Sequence, residues 1–283
     1  MRRRFGWLVP YLFLLPGGLW LLLFFLIPML VMVSVSLQQG SLSTGYELTW
    51  NFGIFPQAIA QSWPQMLRSV IYALIVTALT LLIGYPMAYT IAFRGGRYKN
   101  LLLLLVILPF FTSFLIRTLS WKLILADNGV LLGTLKSWGL LDPGFQLIGE
   151  AVAVISGLTY NFLPFMVLPL YVAIEKVDPR LVEAATDLYA SRREAFRRVT
   201  LPLSMPGVFA GSLLTFIPAV GDFINAQILG SRDTTMIGNI IQRLFLQTND
   251  YPRAAALSFV LIAAILVMVR AYARVVGSEE LTS

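Results

Sequence analysis

YLFLLPGGLWLLLFFLIPMLVMVSVSL, residues Tyr11–Leu37, runs without a single charge. The hydrocarbon core of a bilayer asks for about 20 apolar residues of helix, so the stretch predicts a membrane-spanning helix. Met1-Arg-Arg-Arg4 before it resembles the charged start of a signal peptide. The apolar run is far longer than a signal peptide's core of about 7–15 residues and has no small-x-small exit, which predicts a retained first span.

Five further apolar runs follow. With the first they place spans at about 11–37, 69–93, 101–121, 151–174, 205–229 and 254–272. The runs are continuous rather than alternating, which argues for helices over a barrel. The expected fold is all-α: one polytopic membrane domain of six transmembrane helices over residues 1–283. Composition agrees, with 58% hydrophobic and 12% charged residues, against about 25% charged in soluble domains. Disorder is excluded by the same hydrophobicity. The chain has no Cys and no His, which removes disulfides, thiol chemistry, Ser–His triads and histidine metal sites. No metal and no cofactor are expected.

Orientation follows from the basic residues. Of the 21 Lys and Arg, 14 fall at the two ends and in the gaps after the second and fourth runs. Residues 38–67 hold none, and 126–149 only Lys136. Basic residues collect on the cytoplasmic side, so both termini are expected there, in a multi-pass plasma membrane protein. Trp50, Trp63 and Trp138 are candidate interfacial anchors on the outer side. The net charge of +7 is assigned to this asymmetry and not to nucleic acid, since no basic stripe interleaved with aromatics occurs in a polar segment.

The gap after the fourth run, residues 175–204, is different. It holds 11 of the 35 charged residues. Asp178 before Pro179 reads as a helix start. Leu181, Ala184, Ala185 and Leu188 then recur at helical spacing. Ser191 and Glu194 form a capping-box pattern for a second short helix, with Phe196 and Val199 on its apolar side. Two short helices at the membrane boundary are predicted, and taken alone they could be a mere connector.

The spacing within this loop resembles the EAA loop of ABC importer permeases. Glu183-Ala184-Ala185 stands at its head, and Val199, Leu201 and Pro202 fall at the matching later positions. Tyr189 stands where that family has Gly. Glycine tolerates positive φ and close approach, whereas tyrosine does not do so cheaply. Either the turn is rebuilt helically or the contact with the ATPase is altered. The opening Pro10–Pro16, the six runs and the loop placement also resemble a type I importer permease. Pro218–Ile224, Leu229-Gly230, Met236-Ile-Gly-Asn239 and Asp250-Tyr-Pro252 resemble the spermidine/putrescine permeases of the PotB/PotH type.

The resemblance implies a non-catalytic membrane subunit. The chain lacks the Gly-x-x-x-x-Gly-Lys-Ser/Thr loop that cradles nucleotide phosphates, and the family has a separate cytoplasmic ATPase, expected as a dimer. Glu183, Ala184, Ala185, Asp187, Tyr189, Ser191, Val199, Leu201 and Pro202 would couple to it. A second homologous permease, an extracytoplasmic solute-binding protein and membrane lipid complete the implied partners. The implied function is import of polyamines, with ferric iron, thiamine or sulfate as alternative cargo on the same scaffold. A stand-alone secondary transporter would need coupling-ion groups buried in several spans. An intramembrane aspartyl protease would need paired acids in facing spans.

Asp222 is the one acid within the apolar runs. A carboxylate at membrane depth costs about 2.5–3.5 kcal/mol on insertion scales and faces a cavity or partner. It reads either as a pathway acid for a polyammonium substrate or as a group near the interface or paired with the partner permease. At helical spacing Thr215, Ala219, Asp222 and Ala226 share a face. Phe216 and Phe223 flank it and offer cation–π contacts. Asn225, Tyr160 and Asn161 complete the candidate pathway set, although an Asn in a span more often bonds a neighbouring helix. Arg117 is expected to snorkel outward near Trp121 and Lys122.

Overall fold

In lipid the backbone must satisfy its own hydrogen bonds, and a helix does so within one segment. The first run obeys: α1 (Val9–Leu21), a π-helical turn at Leu22–Leu26 and α2 (Ile27–Ser36) follow one another without a break. Trp20, Phe24 and Phe25 on it are exposed, as a lipid-facing surface requires. The computed structural model describes residues 9–276, with side chains from 13 to 274. Arg2, Arg3 and Arg4, used above for orientation and for the signal-peptide comparison, lie outside the described residues.

A hairpin of β1 (Gln38–Ser41) and β2 (Gly45–Leu48) follows, pairing antiparallel. Then α3 runs from Ile54 to Arg94. The second apolar run therefore sits inside a longer helix that begins well before Ser69. Pro56 stands in its first turn, where N–H groups have no helical partner anyway.

The third run is not one straight helix. α4 (Lys99–Ile107) passes through a 3₁₀ turn at Leu108–Phe111 and stops, and α5 (Phe114–Leu125) restarts. The two arms meet at 94°. Pro109 supplies no N–H, and Thr112 and Ser113 are extended, with ψ of 150° and 134°. The Thr112 hydroxyl donates to the Pro109 carbonyl at 2.7 Å. α6 (Val130–Ser137) follows α5.

α7 (Ala151–Glu175) is the buried axis of its unit, with Ala153, Val154, Leu158, Met166, Val167, Leu170 and Ile174 enclosed. After it come α8 (Pro179–Asp187), α9 (Arg192–Ala195), a π-helical turn at Phe196–Thr200 and α10 (Leu201–Leu203). The chain bends by 62° into α11 (Met205–Val220). The fifth run breaks after Val220 and resumes as α12 (Ile224–Leu229). The helical register that would join Thr215 and Ala219 to Asp222 and Ala226 thus stops between the pairs, though all four are buried. α13 (Ile237–Leu246) and α14 (Tyr251–Val276) complete the chain.

Four of these helices are long and apolar enough to cross a membrane, and six spans result if each bent pair is one. Among the described residues, 9–62 with 241–264 form one compact unit and 63–240 with 265–276 another. In the first unit, the Tyr46 hydroxyl donates to the Asn249 carbonyl, and the Tyr251 ring lies 5.6 Å from Tyr46 and 5.1 Å from Phe245. In the second, α11 lies close along α7. A Cβ on Gly207 would stand 2.8 Å from the Pro169 carbonyl oxygen, and one on Gly211 would stand 3.1 Å from that of Met166. Gly207-x-x-x-Gly211 is the small-residue spacing that lets membrane helices approach. These two helices flank the charged loop.

Candidate functional site

The loop folds by local rules. The Asp178 carboxylate accepts from the Arg180 N–H at 2.9 Å and Pro179 takes the first helical position, which together start α8. α8 ends in a Schellman motif: the Ala190 N–H donates to the Ala185 carbonyl and the Tyr189 N–H to that of Thr186, both at 3.0 Å. That geometry places Tyr189 in the left-handed region, at φ 64°, where glycine is the usual occupant. The turn is therefore not rebuilt helically. It keeps a glycine conformation with a tyrosine in it.

Next comes the capping box. The Glu194 carboxylate accepts from both the N–H and the hydroxyl of Ser191 at 2.9 Å, and the Glu194 N–H donates back to that hydroxyl at 3.3 Å. The Ser191 N–H, followed by its hydroxyl, holds the Glu194 carboxyl below the ordinary glutamate range. Phe196 sets its edge against Tyr85 and Tyr89, with centroids 5.6 and 5.9 Å away, and the Tyr85 hydroxyl meets Ser204 Oγ at 2.7 Å. The second short helix is thereby fixed to α3. Beneath it, Lys99 Nζ bonds Glu175 Oε1 at 2.6 Å, tying the start of α4 to the end of α7.

α8 behaves otherwise. None of its residues is buried. Glu183, Ala184 and Asp187 are exposed, and so are Leu181, Leu188 and Tyr189. Ser191 and Pro202 are exposed, while Ala185, Val199 and Leu201 are half-buried. An amphipathic helix whose apolar side faces away from its own chain is built to meet another surface.

The membrane-depth polar residues form a second constellation. Asp222 Oδ1 accepts from the Asn225 N–H at 2.8 Å and Oδ2 from Asn225 Nδ2 at 3.2 Å. That fixes the Asn225 side-chain oxygen as an acceptor, which takes Asn161 Nδ2 at 3.0 Å and the Thr118 hydroxyl at 3.2 Å. Asn161 Nδ2 also reaches Thr118 Oγ1 at 3.1 Å. Asp222, Asn225, Asn161 and Thr118 are all buried, and they join α5, α7 and the start of α12. Asn161 Oδ1 is left without a donor.

The break before α12 is closed from α13. Asn239 Nδ2 donates to the Phe223 carbonyl at 2.8 Å, and its Oδ1 accepts from the Met236 N–H at 3.1 Å. A Cβ on Gly238 would lie 2.9 Å from the Asp222 carbonyl oxygen, so only glycine fits there. Thr118, Gly238 and Asn239 were absent from the candidate residues read off the sequence. The Met236–Asn239 stretch was the available signal for the last two, and nothing local marked Thr118.

Arg117 departs from expectation. It is 8% exposed, with its guanidinium 5.7 and 5.5 Å from the Phe110 and Phe114 ring centroids. Its Nε and Nη1 find no acceptor. The bend at Thr112–Ser113 sets α5 against the preceding arm, and this side chain is enclosed beside the Phe110 and Phe114 rings. The aromatic candidates are not brought together either. Tyr160 lines a cavity of about 520 Å³ with Pro86, Pro109 and Pro164, whereas Phe216 lines a different one of about 310 Å³ with Leu74, Thr77 and Tyr272. Phe223 is half-buried. Among the described residues no three acidic side chains gather as a metal site would need.

A family profile described as "Binding-protein-dependent transport system inner membrane component" matches residues 80–277, a range that takes in both constellations. The chain belongs to this family. It is 39% identical over 256 residues to the spermidine/putrescine transport system permease protein PotB of Haemophilus influenzae, covering 90% of each chain. PotB of Escherichia coli K12 is 37% identical, with 90% of this chain and 93% of that protein covered. Among solved structures, a bacterial alginate ABC transporter in complex with an alginate pentasaccharide-bound periplasmic protein matches with a TM-score of 0.73 at 23% identity, covering 96% of both chains. The inward-facing MetNI methionine ABC transporter matches at 0.60 and 18%, covering 76% of this chain and 94% of that one. At such identities these likenesses carry the fold, that of a type I ABC importer permease. This family member is thus a multi-pass inner-membrane transport subunit and not an enzyme.

Proposed function

We propose that this permease imports polyamines, spermidine or putrescine, as one of two membrane subunits of an ATP-driven importer. The observation that carries the reading is the 39% identity to a spermidine/putrescine permease over 90% of both chains. A separate cytoplasmic ATPase binds the loop at 175–204, a homologous permease lines the other half of the pathway, and a solute-binding protein delivers cargo outside. The six apolar runs act as one permease domain with both termini in the cytoplasm, as the basic-residue asymmetry supports.

In this reading Glu183, Ala184, Ala185, Asp187 and Tyr189 on α8 face the ATPase. Ser191, Val199, Leu201 and Pro202, on the second short helix and the turns after it, belong to the same coupling surface. Tyr160, Phe216 and Phe223 offer aromatic faces for ammonium groups at separate places along the pathway. Asp222, Asn225 and Asn161 hold the broken span and bias the local field toward cations.

The test is uptake into proteoliposomes carrying the chain with its ATPase, second permease and binding protein. Spermidine or putrescine should stimulate ATP hydrolysis and accumulate inside, and the chain alone should hydrolyse no ATP. Stimulation by ferric iron, thiamine or sulfate but by no polyamine would reject the substrate assignment. Glu183→Arg should uncouple or release the ATPase while the chain stays folded, and normal transport by that variant would reject the loop's role. Reporter fusions at each end check the orientation.

A further inference from the structure

Tyr189 occupies a backbone conformation that only glycine adopts without steric cost, at φ 64°. Nothing in its own chain offsets that cost, because the side chain is 99% exposed. A glycine would make the same Schellman turn, with the same two N–H bonds, and without strain. Strained residues of this kind persist where the side chain is used. The use must therefore lie outside this chain.

Its neighbours specify the kind of surface. Leu188 is 81% exposed beside it, and Leu181, two helical turns earlier, is 49% exposed. Leu181, Leu188 and Tyr189 thus form an apolar ridge along the outer side and tip of α8. Asp178, Glu183 and Asp187 stand on this helix against a single base, Arg180, with Glu183 on the face opposite the ridge, and the exposed Arg192 and Arg193 follow three and four residues after Tyr189. A net acidic helix is repelled by the anionic inner leaflet of a membrane, which argues against a lipid seat. An exposed apolar ridge on a short helix fits a groove with an apolar floor on a protein, entered in the helix-in-groove manner.

We propose that the Tyr189 ring is an anchor in the contact with the cytoplasmic ATPase, seated with Leu188 and Leu181 in an apolar groove. The proposal rests on the coupling-loop reading above and adds to it a side chain that glycine-bearing loops do not offer. The strained turn presents the ring at the helix tip, and the helix supplies direction. Tyrosine suits the role because it brings a large rigid surface with few rotatable bonds.

The experiment measures ATPase affinity for the membrane complex in detergent, with Tyr189→Gly, Tyr189→Ala, Tyr189→Phe and Glu183→Arg in turn. Backbone and ring effects have opposite signs here, since glycine relaxes the turn but deletes the ring. Weakening by roughly tenfold or more in both Tyr189→Gly and Tyr189→Ala, the scale of an interface anchor, with Tyr189→Phe close to wild type, is expected. Tyr189→Gly binding as tightly as wild type or tighter overturns the proposal. If Glu183→Arg releases the ATPase while every Tyr189 variant holds it, the anchor is refuted and the coupling loop stands. If no variant, Glu183→Arg included, changes binding, the coupling-loop reading itself fails.

Discussion

Gly207→Ala adds one methyl group where α11 runs closest to α7. The new carbon would stand 2.5 Å from Ala173 Cβ, 2.8 Å from the Pro169 carbonyl oxygen and 3.1 Å from Leu170 Cα. Carbon contacts settle near 3.5–4.0 Å, so the helices must part by about 1 Å. Two of the three atoms are backbone, which no rotamer change can move. Overpacking of this kind costs about 1–3 kcal/mol, and the better helix propensity of alanine returns about 1 kcal/mol. The net loss, about 1 kcal/mol at the middle of that range, should lower the unfolding midpoint by about 2–4 °C, read by tryptophan fluorescence on the purified protein. Gly211→Ala is the internal comparison. Its nearest neighbour is Met166 Sδ at 2.8 Å, in a flexible side chain, with the Met166 carbonyl oxygen and Cα following at 3.1 and 3.3 Å, so its cost should be smaller than that of Gly207→Ala. Ala173→Gly added to Gly207→Ala removes the closest contact but not the carbonyl, and should recover part of the loss. α7 and α11 flank the charged loop, so transport should fall more than stability. A midpoint for Gly207→Ala at or above wild type, or a larger loss for Gly211→Ala, would refute the close-packing argument.

Asp222→Asn sets an amide N–H₂ against that of Asn225, breaking the donor–acceptor order of the buried network. It should lose polyamine uptake while the complex still assembles, and adding Asn225→Asp restores the order and should restore assembly stability. A double variant less stable than the single one would contradict the assigned polarity. Glu175→Gln removes a partly exposed ion pair with Lys99 at 2.6 Å; the cost should stay below about 1 kcal/mol and shrink with salt, as thermal unfolding at two ionic strengths would reveal. The Glu194 carboxyl titrates lower in the folded loop than in the unfolded chain, so its cap is fully present above the ordinary glutamate range. It is lost as pH falls through the lowered folded value. Hydrogen exchange at the Ser191 and Glu194 amides, corrected for intrinsic rate, should lose protection only there; loss near neutral pH would show that the cap rests on something else.

Much of the coupling loop was legible because caps are local. Asp178, Pro179, Ser191 and Glu194 act on groups two or three residues away, so their spacing carries the geometry. Tyr189 was not legible, because two backbone conformations suit the same neighbours and the Schellman bonds select between them. The candidate set at membrane depth was legible only as an inventory of polar residues in apolar runs. Which of them pair was hidden, since Thr118 lies 107 residues and Asn161 64 residues from Asn225. The outward course expected for Arg117 assumed a straight span.

The sequence by itself determined that this protein lives in a membrane, where its helical runs lie, and that one charged loop departs from the pattern. Lipid offers no hydrogen bonds, so apolar runs of spanning length become helices whatever surrounds them. Tertiary structure alone decided where those helices break and what closes the breaks. At Thr112–Ser113 and at Gly221–Phe223 the chain leaves backbone groups without helical partners. At the second break the Asn225 N–H is capped by Asp222, the Phe223 carbonyl takes Asn239 beside its helical partner Gln227, and the polar side chains are answered from α5 and α7. Residues so far apart in the chain meet only through packing, which no local pattern encodes.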